Sequence, residues 1–263
     1  MTASSVATGQ TPRPLTQGVP TLPRLAVAWQ HPETRHIQPV GLLWQNEGRY
    51  NFRYIGNVHS VPGFVPFLSF PHLHSRYRSE RLFPLFAQRV MDPNRPDFAS
   101  YARTLDLAHS ATPWEQLIRS EGRRLGDTIM VFPEPAVDPD GSTRCKFLVH
   151  GIRHATRLYP NVEERLTTLR SGDRLLLKSD PTNEFNSRAI HTADSQNVPL
   201  GWVPDLLLDY AHAVRDAGDD RLQVQHINGP NAPVHLRLLV ELTGRVSPGF
   251  RPFSGGRWGP VVE

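Results

Sequence analysis

The sequence predicts an α+β protein in two parts. Three observations carry this: short apolar runs parted by polar turns in residues 25–54, helical spacing of apolar side chains over 79–119, and a second series of strands and helices from Phe147 onward.

Residues 1–23 come first, and Pro12, Pro14, Pro20 and Pro23 oppose any helix there, so a disordered arm is expected. A first domain spans 24–134. Leu25-Ala26-Val27-Ala28-Trp29, Val40-Gly41-Leu42-Leu43-Trp44 and Tyr50-Asn51-Phe52-Arg53-Tyr54 have the pattern of an antiparallel meander, with Asn46-Glu47-Gly48 as the turn between the second and third. A proline-rich connector ending in Phe67-Leu68-Ser69-Phe70-Pro71 then gives way to helical spacing. Ser79 is placed to cap a helix through Met91, with Leu82, Leu85, Phe86 and Val90 on one face. Helices over about 97–107 and 112–119 and a strand over 127–132 complete this half.

Residues 135–143 are a linker to a second domain, 144–246. Asn161 begins a short helix to about Leu169, and Arg174–Lys178 and Ala189–Thr192 are strands flanking the polar loop Asp180-Pro181-Thr182-Asn183-Glu184-Phe185-Asn186. Pro204 opens a helix containing Leu206, Leu207, Tyr210 and Val214. Strands at 222–227 and 234–242 follow. Residues 247–263, rich in glycine and proline, are expected to form a flexible tail, although Phe250, Arg251, Phe253, Arg257 and Trp258 also suit single strands.

Four segments of the second domain stand in a distinctive order: Gly151-Ile152-Arg153-His154, Gly172-Asp173-Arg174, the loop Asp180–Asn186, and Leu200-Gly201-Trp202-Val203-Pro204. That order resembles the HIRAN domain, over roughly residues 144–246. The resemblance implies a small β-barrel with helices that captures the 3′ end of single-stranded DNA at one mouth. Carried over by position, the contacts are Arg153, His154, Asn183, Phe185 and Asn186. His154 stands where the DNA-end-binding members carry a larger ring and Asn186 where they carry a carboxylate, so selection of a free 3′ end is expected to be weaker.

The residue chemistry agrees, since single strands are held by stacking bases on rings and pairing phosphates with cations. Phe185 and His154 offer ring faces, Arg153 a planar fork for phosphate, and Asn183 and Asn186 donors and acceptors. A second reading stands beside it, in which Phe185 is core and the asparagines only shape the turn. Trp202, following Gly201 in a strand, is expected to have a core or packing role rather than to serve as a third stacking ring.

The first domain resembles the N-terminal subdomain of HipA, a serine/threonine kinase toxin, over about 24–134. Val40–Leu43, Tyr50–Tyr54, Phe83-Pro84-Leu85-Phe86, Pro113–Leu117 and Gly126-Asp127-Thr128 carry that resemblance. It implies a docking or inhibitory lobe, because no kinase core follows: the chain holds no glycine-rich phosphate loop, no His-Arg-Asp and no Asp-Phe-Gly. Its apolar positions Phe83, Phe86, Phe98, Tyr101 and Trp114 offer surface either for a partner or for the second domain of the same chain to cover.

Composition bounds the function. Formal charge is only +4 and lysine occurs only at 146 and 178, so electrostatics alone would not coat duplex DNA and binding must be local. Cys145 is the single cysteine, which excludes an intrachain disulfide and a cysteine-based zinc site. His72-Leu73-His74 with His59 lacks a completing ligand, so no metal is expected, and no cofactor motif is present. No serine-nucleophile elbow occurs, and the chain is expected to be non-enzymatic. With neither a signal-peptide pattern nor ~18 consecutive apolar residues, a soluble cytoplasmic protein away from membranes is expected. Two functions remain: a non-enzymatic single-stranded-DNA-binding protein in repair or genome defence, or a regulatory, antitoxin-like protein that binds a HipA-like kinase through its N-terminal domain.

Overall fold

Leu25–Gln30 (β1), Ile37–Asn46 (β2), Arg49–Tyr54 (β3), Arg76–Ser79 (β4) and Ile129–Pro133 (β5) form an antiparallel sheet of order β4-β3-β2-β1-β5 in the computed structural model, which describes residues 22–124 and 126–262. Residues 1–21, most of the arm expected to be disordered, lie outside the described residues. Glu47 and Gly48 both take positive φ (50° and 73°), the two-residue hairpin geometry whose twist matches the strands it joins, and they set Asn46 opposite Arg49. β1 is buried on both faces, which explains its unbroken apolar run. Leu25 and Val27 enter a core with Phe52, Phe86 and Trp114, while Ala26 and Ala28 enter a second core with Phe147 and Leu177.

Three short helices connect β4 to β5: Pro84–Ala87 (α1), Phe98–Thr104 (α2) and Pro113–Ser120 (α3). The helix expected from Ser79 to Met91 shrinks to α1. Pro84 cannot sit inside a helix without losing a hydrogen bond and starts one instead, while Ser79 is held as a strand residue opposite Tyr50. At α3, Thr112 and Glu115 exchange the two hydrogen bonds of a capping box. Phe83, Phe86, Phe98 and Trp114 are buried and Tyr101 is partly buried, so most of the ring surface expected to face a partner is covered within the chain.

The second sheet comprises Ala136–Val137 (β6), Ser142–Leu148 (β7), Arg174–Ser179 (β8), Ile190–Ala193 (β9), Pro199–Trp202 (β10), Arg221–Ile227 (β11) and Leu238–Arg245 (β12). Its order is β10-β9-β8-β11-β12-β7-β6, antiparallel throughout. Helices Ile152–Leu158 (α4), Val162–Thr168 (α5) and Leu208–Ala217 (α6) accompany it. The class is α+β, but the expected β-barrel is not formed: the sheet is open, with β10 and β6 as separate edges. One bridge, His150 to Trp202, brings β10 toward the end of β7. No ladder extends from it, because the chain turns away at Gly151 (φ 69°) into α4 on one side and meets Pro204 on the other.

The two sheets share a core, in which Ala26, Leu42, Met130 and Phe132 pack with Phe147, Leu207 and Leu242. Buried Glu121 also joins them, accepting hydrogen bonds from Arg123 (3.0 Å) and pairing with His150 (2.8 Å). Burial alone would raise its carboxyl above the ordinary range, but the charges of His150 and Arg123 outweigh that and hold it below. The tail expected to be flexible is packed. Trp258 is buried and stacks on Phe253 at 4.6 Å, Pro260 bridges to Ile55, and the Gly56 amide donates to the Gly259 carbonyl. Two apolar rings and a backbone pairing fix a segment whose glycines and prolines alone suggested freedom. Among the described residues no helix is long and apolar enough to cross a membrane.

Candidate nucleic-acid interface

The loop between β8 and β9 is organised by Asp180. Its carboxylate accepts hydrogen bonds from Thr182 Oγ1 (3.1 Å), Asn183 Nδ2 (3.0 Å) and Trp202 Nε1 (2.9 Å), and lies 3.2 Å from His191 Nε2. Burial would raise the Asp180 carboxyl, but the bonds from Trp202 and Asn183 and the proximity of His191 hold it below the usual range. His191 is itself pushed down by burial, against the opposing pull of Asp180.

Asn183 turns the loop. Its Oδ1 accepts from the backbone amides of Phe185 (3.1 Å) and Asn186 (3.2 Å), a side-chain mimic of a backbone turn. The effect is to project Phe185 outward, 65% exposed and edge-on to His36 at 6.4 Å between centroids. Phe185 is therefore not core. Asn186 donates from Nδ2 to Asp205 (3.3 Å) and accepts from the Arg188 amide (3.0 Å).

On the facing side, Gly151 starts α4. A Cβ at this position would stand 2.6 Å from Trp202 Cε3, so only glycine admits the indole there, and its left-handed φ of 69° suits glycine as well. His154, in the first turn of α4, lies 5.5 Å from Trp202, which also meets His191 at 4.8 Å. Trp202, expected in a core or packing role, is partly buried and packs against the core of the second sheet. The bridge to His150 and the bond to Asp180 hold it at the surface.

These parts enclose a cleft of about 250 Å³, lined by His154, Trp202, Asn183 and Phe185 together with Arg35 and His36 from the turn between β1 and β2. An adjoining cleft of about 230 Å³ shares Phe185, His36 and Asp205 and adds Asn186 and Arg257. Of the five residues predicted from sequence, His154, Asn183 and Phe185 share the first cleft and Asn186 lines the second. Arg153 lines neither, being exposed on α4 beside His154 rather than at the exit of a strand. Trp202, Asp180, Arg35 and His36 were not predicted. Among the described residues no three His, Cys, Asp or Glu side chains converge as metal ligands would.

No family model matches this chain, and no curated protein does. Solved structures that are partly similar include these two. A structural-genomics target from Lactobacillus plantarum is 22% identical, with 41% of this chain and all of that one covered and a TM-score of 0.31. The HIRAN domain of human HLTF is 16% identical over 42% of this chain and 84% of that one, again with a TM-score of 0.31. So distant a likeness carries no residue role across, and it lends nothing to the HipA resemblance of the N-terminal half. The chain thus has a weak, partial structural resemblance to a HIRAN domain.

Proposed function

We propose that this chain is a non-enzymatic single-stranded-DNA-binding protein that acts in repair or genome defence. The observation that carries this is Phe185, a phenylalanine held out of the fold by the Asn183 turn on a cleft that His154 and Trp202 also line. An exposed ring on an ordered loop, sharing a cleft with further rings, is an arrangement on which bases stack. Arg153, outside both clefts but next to His154 on α4, is exposed and has no ion-pair partner among the described residues, so it is free to meet a phosphate, whereas Arg188 and Arg257 are both tied to Asp209. A duplex offers its bases no such access, because they are already stacked inside the helix.

The site has two features bearing on a free 3′ end. Asn186 supplies a neutral amide, and its partner Asp205 places a carboxylate on the same rim. An acid there accepts a hydrogen bond from a hydroxyl and repels a terminal phosphate.

Fluorescence anisotropy of the whole protein with single-stranded and duplex oligonucleotides, each with free or phosphorylated 3′ ends, tests the reading. Tighter binding to single strands, with a shallow salt slope set by few phosphates, is expected. Equal or stronger duplex binding overturns it. No observation favours a kinase partner, since four of the five rings that suggested one, Phe83, Phe86, Phe98 and Trp114, are buried within the chain and the fifth, Tyr101, is partly buried.

A further inference from the structure

The cleft is not built by the second half alone. The turn joining β1 to β2 lies more than 140 residues from the Asp180–Asn186 loop, yet Arg35 and His36 complete the wall around Phe185. That turn is firmly set. The His31 amide donates to the His36 carbonyl (2.8 Å), the Arg35 amide to the His31 carbonyl (3.0 Å) and Gln30 Nε2 to the Arg35 carbonyl (3.0 Å), while His31 Nδ1 accepts from the amides of Glu33 and Thr34. Arg35 has φ 62°, a region uncommon for a residue with a side chain and better suited to glycine or asparagine. Its guanidinium is exposed and makes no hydrogen bond or ion pair among the described residues. Neither fold nor local charge pairing accounts for an arginine here.

We infer that Arg35 and His36 are nucleotide-binding residues, with Arg35 pairing a phosphodiester of the strand and His36 and Phe185 dividing two consecutive nucleotide positions. The inference rests on the single-strand reading above and adds to it that the site is composite, needing both halves of the chain. The two clefts share the His36–Phe185 pair as their common wall. A strand crossing that wall places one base against Trp202 and His154 and the next on the side of Asn186. Asp205 also faces both clefts, so the backbone must lie toward Arg35 and away from that carboxylate.

The test uses the full chain and an oligothymidylate of about eight nucleotides, within the usual span of a single-strand site. Three variants are compared across a salt series, with a thermal melt of each: Arg35→Asn, which removes the charge but tolerates the left-handed backbone, Arg35→Glu, and Phe185→Ala. Arg35→Asn is expected to weaken binding by roughly ten-fold at low salt, the worth of a charge-assisted hydrogen bond, and to flatten the log–log salt slope by about 0.7 for the lost phosphate. Arg35→Glu should weaken it further at an unchanged Tm. Loss in Phe185→Ala with wild-type affinity and slope in both Arg35 variants overturns the composite site and leaves the single-strand reading standing. If Phe185→Ala also binds as wild type, that reading fails and this inference with it.

Discussion

Trp202 rests on Gly151, with the indole occupying the place a side chain at 151 would take. This contact joins the strand edge at β10 to the start of α4 and sets the cleft wall on which His154 lies. Gly151→Ala forces two changes at once, a side chain at positive φ, costing about 1–2 kcal/mol, and a clash that displaces the ring, costing about 1–3 kcal/mol more. The variant should melt earlier, and single-strand binding by its folded fraction should weaken. A melt with parallel anisotropy checks both, and wild-type binding would separate Trp202 from the site.

Phe185→Ala should leave the fold nearly untouched, within about 0.5 kcal/mol, because the ring is already in solvent. Binding should fall by about 1–3 kcal/mol, the worth of one stacked base. Chemical denaturation beside titration with single-stranded DNA measures the two effects separately.

Asn186→Asp should raise the preference for a free 3′ hydroxyl over a 3′ phosphate, since a second carboxylate on that rim repels the phosphate. It also sets two carboxylates where an amide now donates to Asp205, so the loop should lose stability. Adding Asp205→Asn should restore the stability. An unchanged end preference in Asn186→Asp removes Asn186 from the site.

Acid should loosen the loop in two steps. His191 and Asp180 both titrate lower in the folded chain than when free. For each, the stabilisation is complete above its unfolded pKa and is lost as pH falls through the folded one. Tm should therefore hold near and above pH 7, decline below about 6.5 as His191 is forced to charge, and decline again below about 3.9 as Asp180 protonates. Asp180→Asn should abolish the lower step and reduce protection of the Trp202 indole N–H, measured by hydrogen exchange.

What the sequence discloses here is what local chemistry decides. The hairpin at Glu47-Gly48, the alternation in β3 and the asparagine turn that presents Phe185 are each set within a few residues, and each is legible. β4 is not, because Ser79 is a strand residue only by virtue of Tyr50 opposite it. Nor is the open edge of the second sheet, which turns on one bridge between His150 and Trp202. The site divides the same way. Asn183, Phe185 and Asn186 belong to one loop, whereas Arg35, His154 and Trp202 converge from three distant segments, and no spacing in the chain announces their meeting. The packed tail was hidden for the same reason, its anchors Ile55 and Gly56 lying some two hundred residues upstream.

That anchoring has a consequence for how the molecule comes into being. Ile55 is synthesised some two hundred residues before its bridging partner Pro260, which follows only after the whole second sheet has been made. The first sheet must therefore wait with that segment unpaired and Ala26, Leu42 and Phe132 uncovered. Contacts of such long sequence separation slow folding, because loop closure precedes any reward. The nascent first half should be a client for chaperones, and its release from them should coincide with the docking of Trp258 and Pro260.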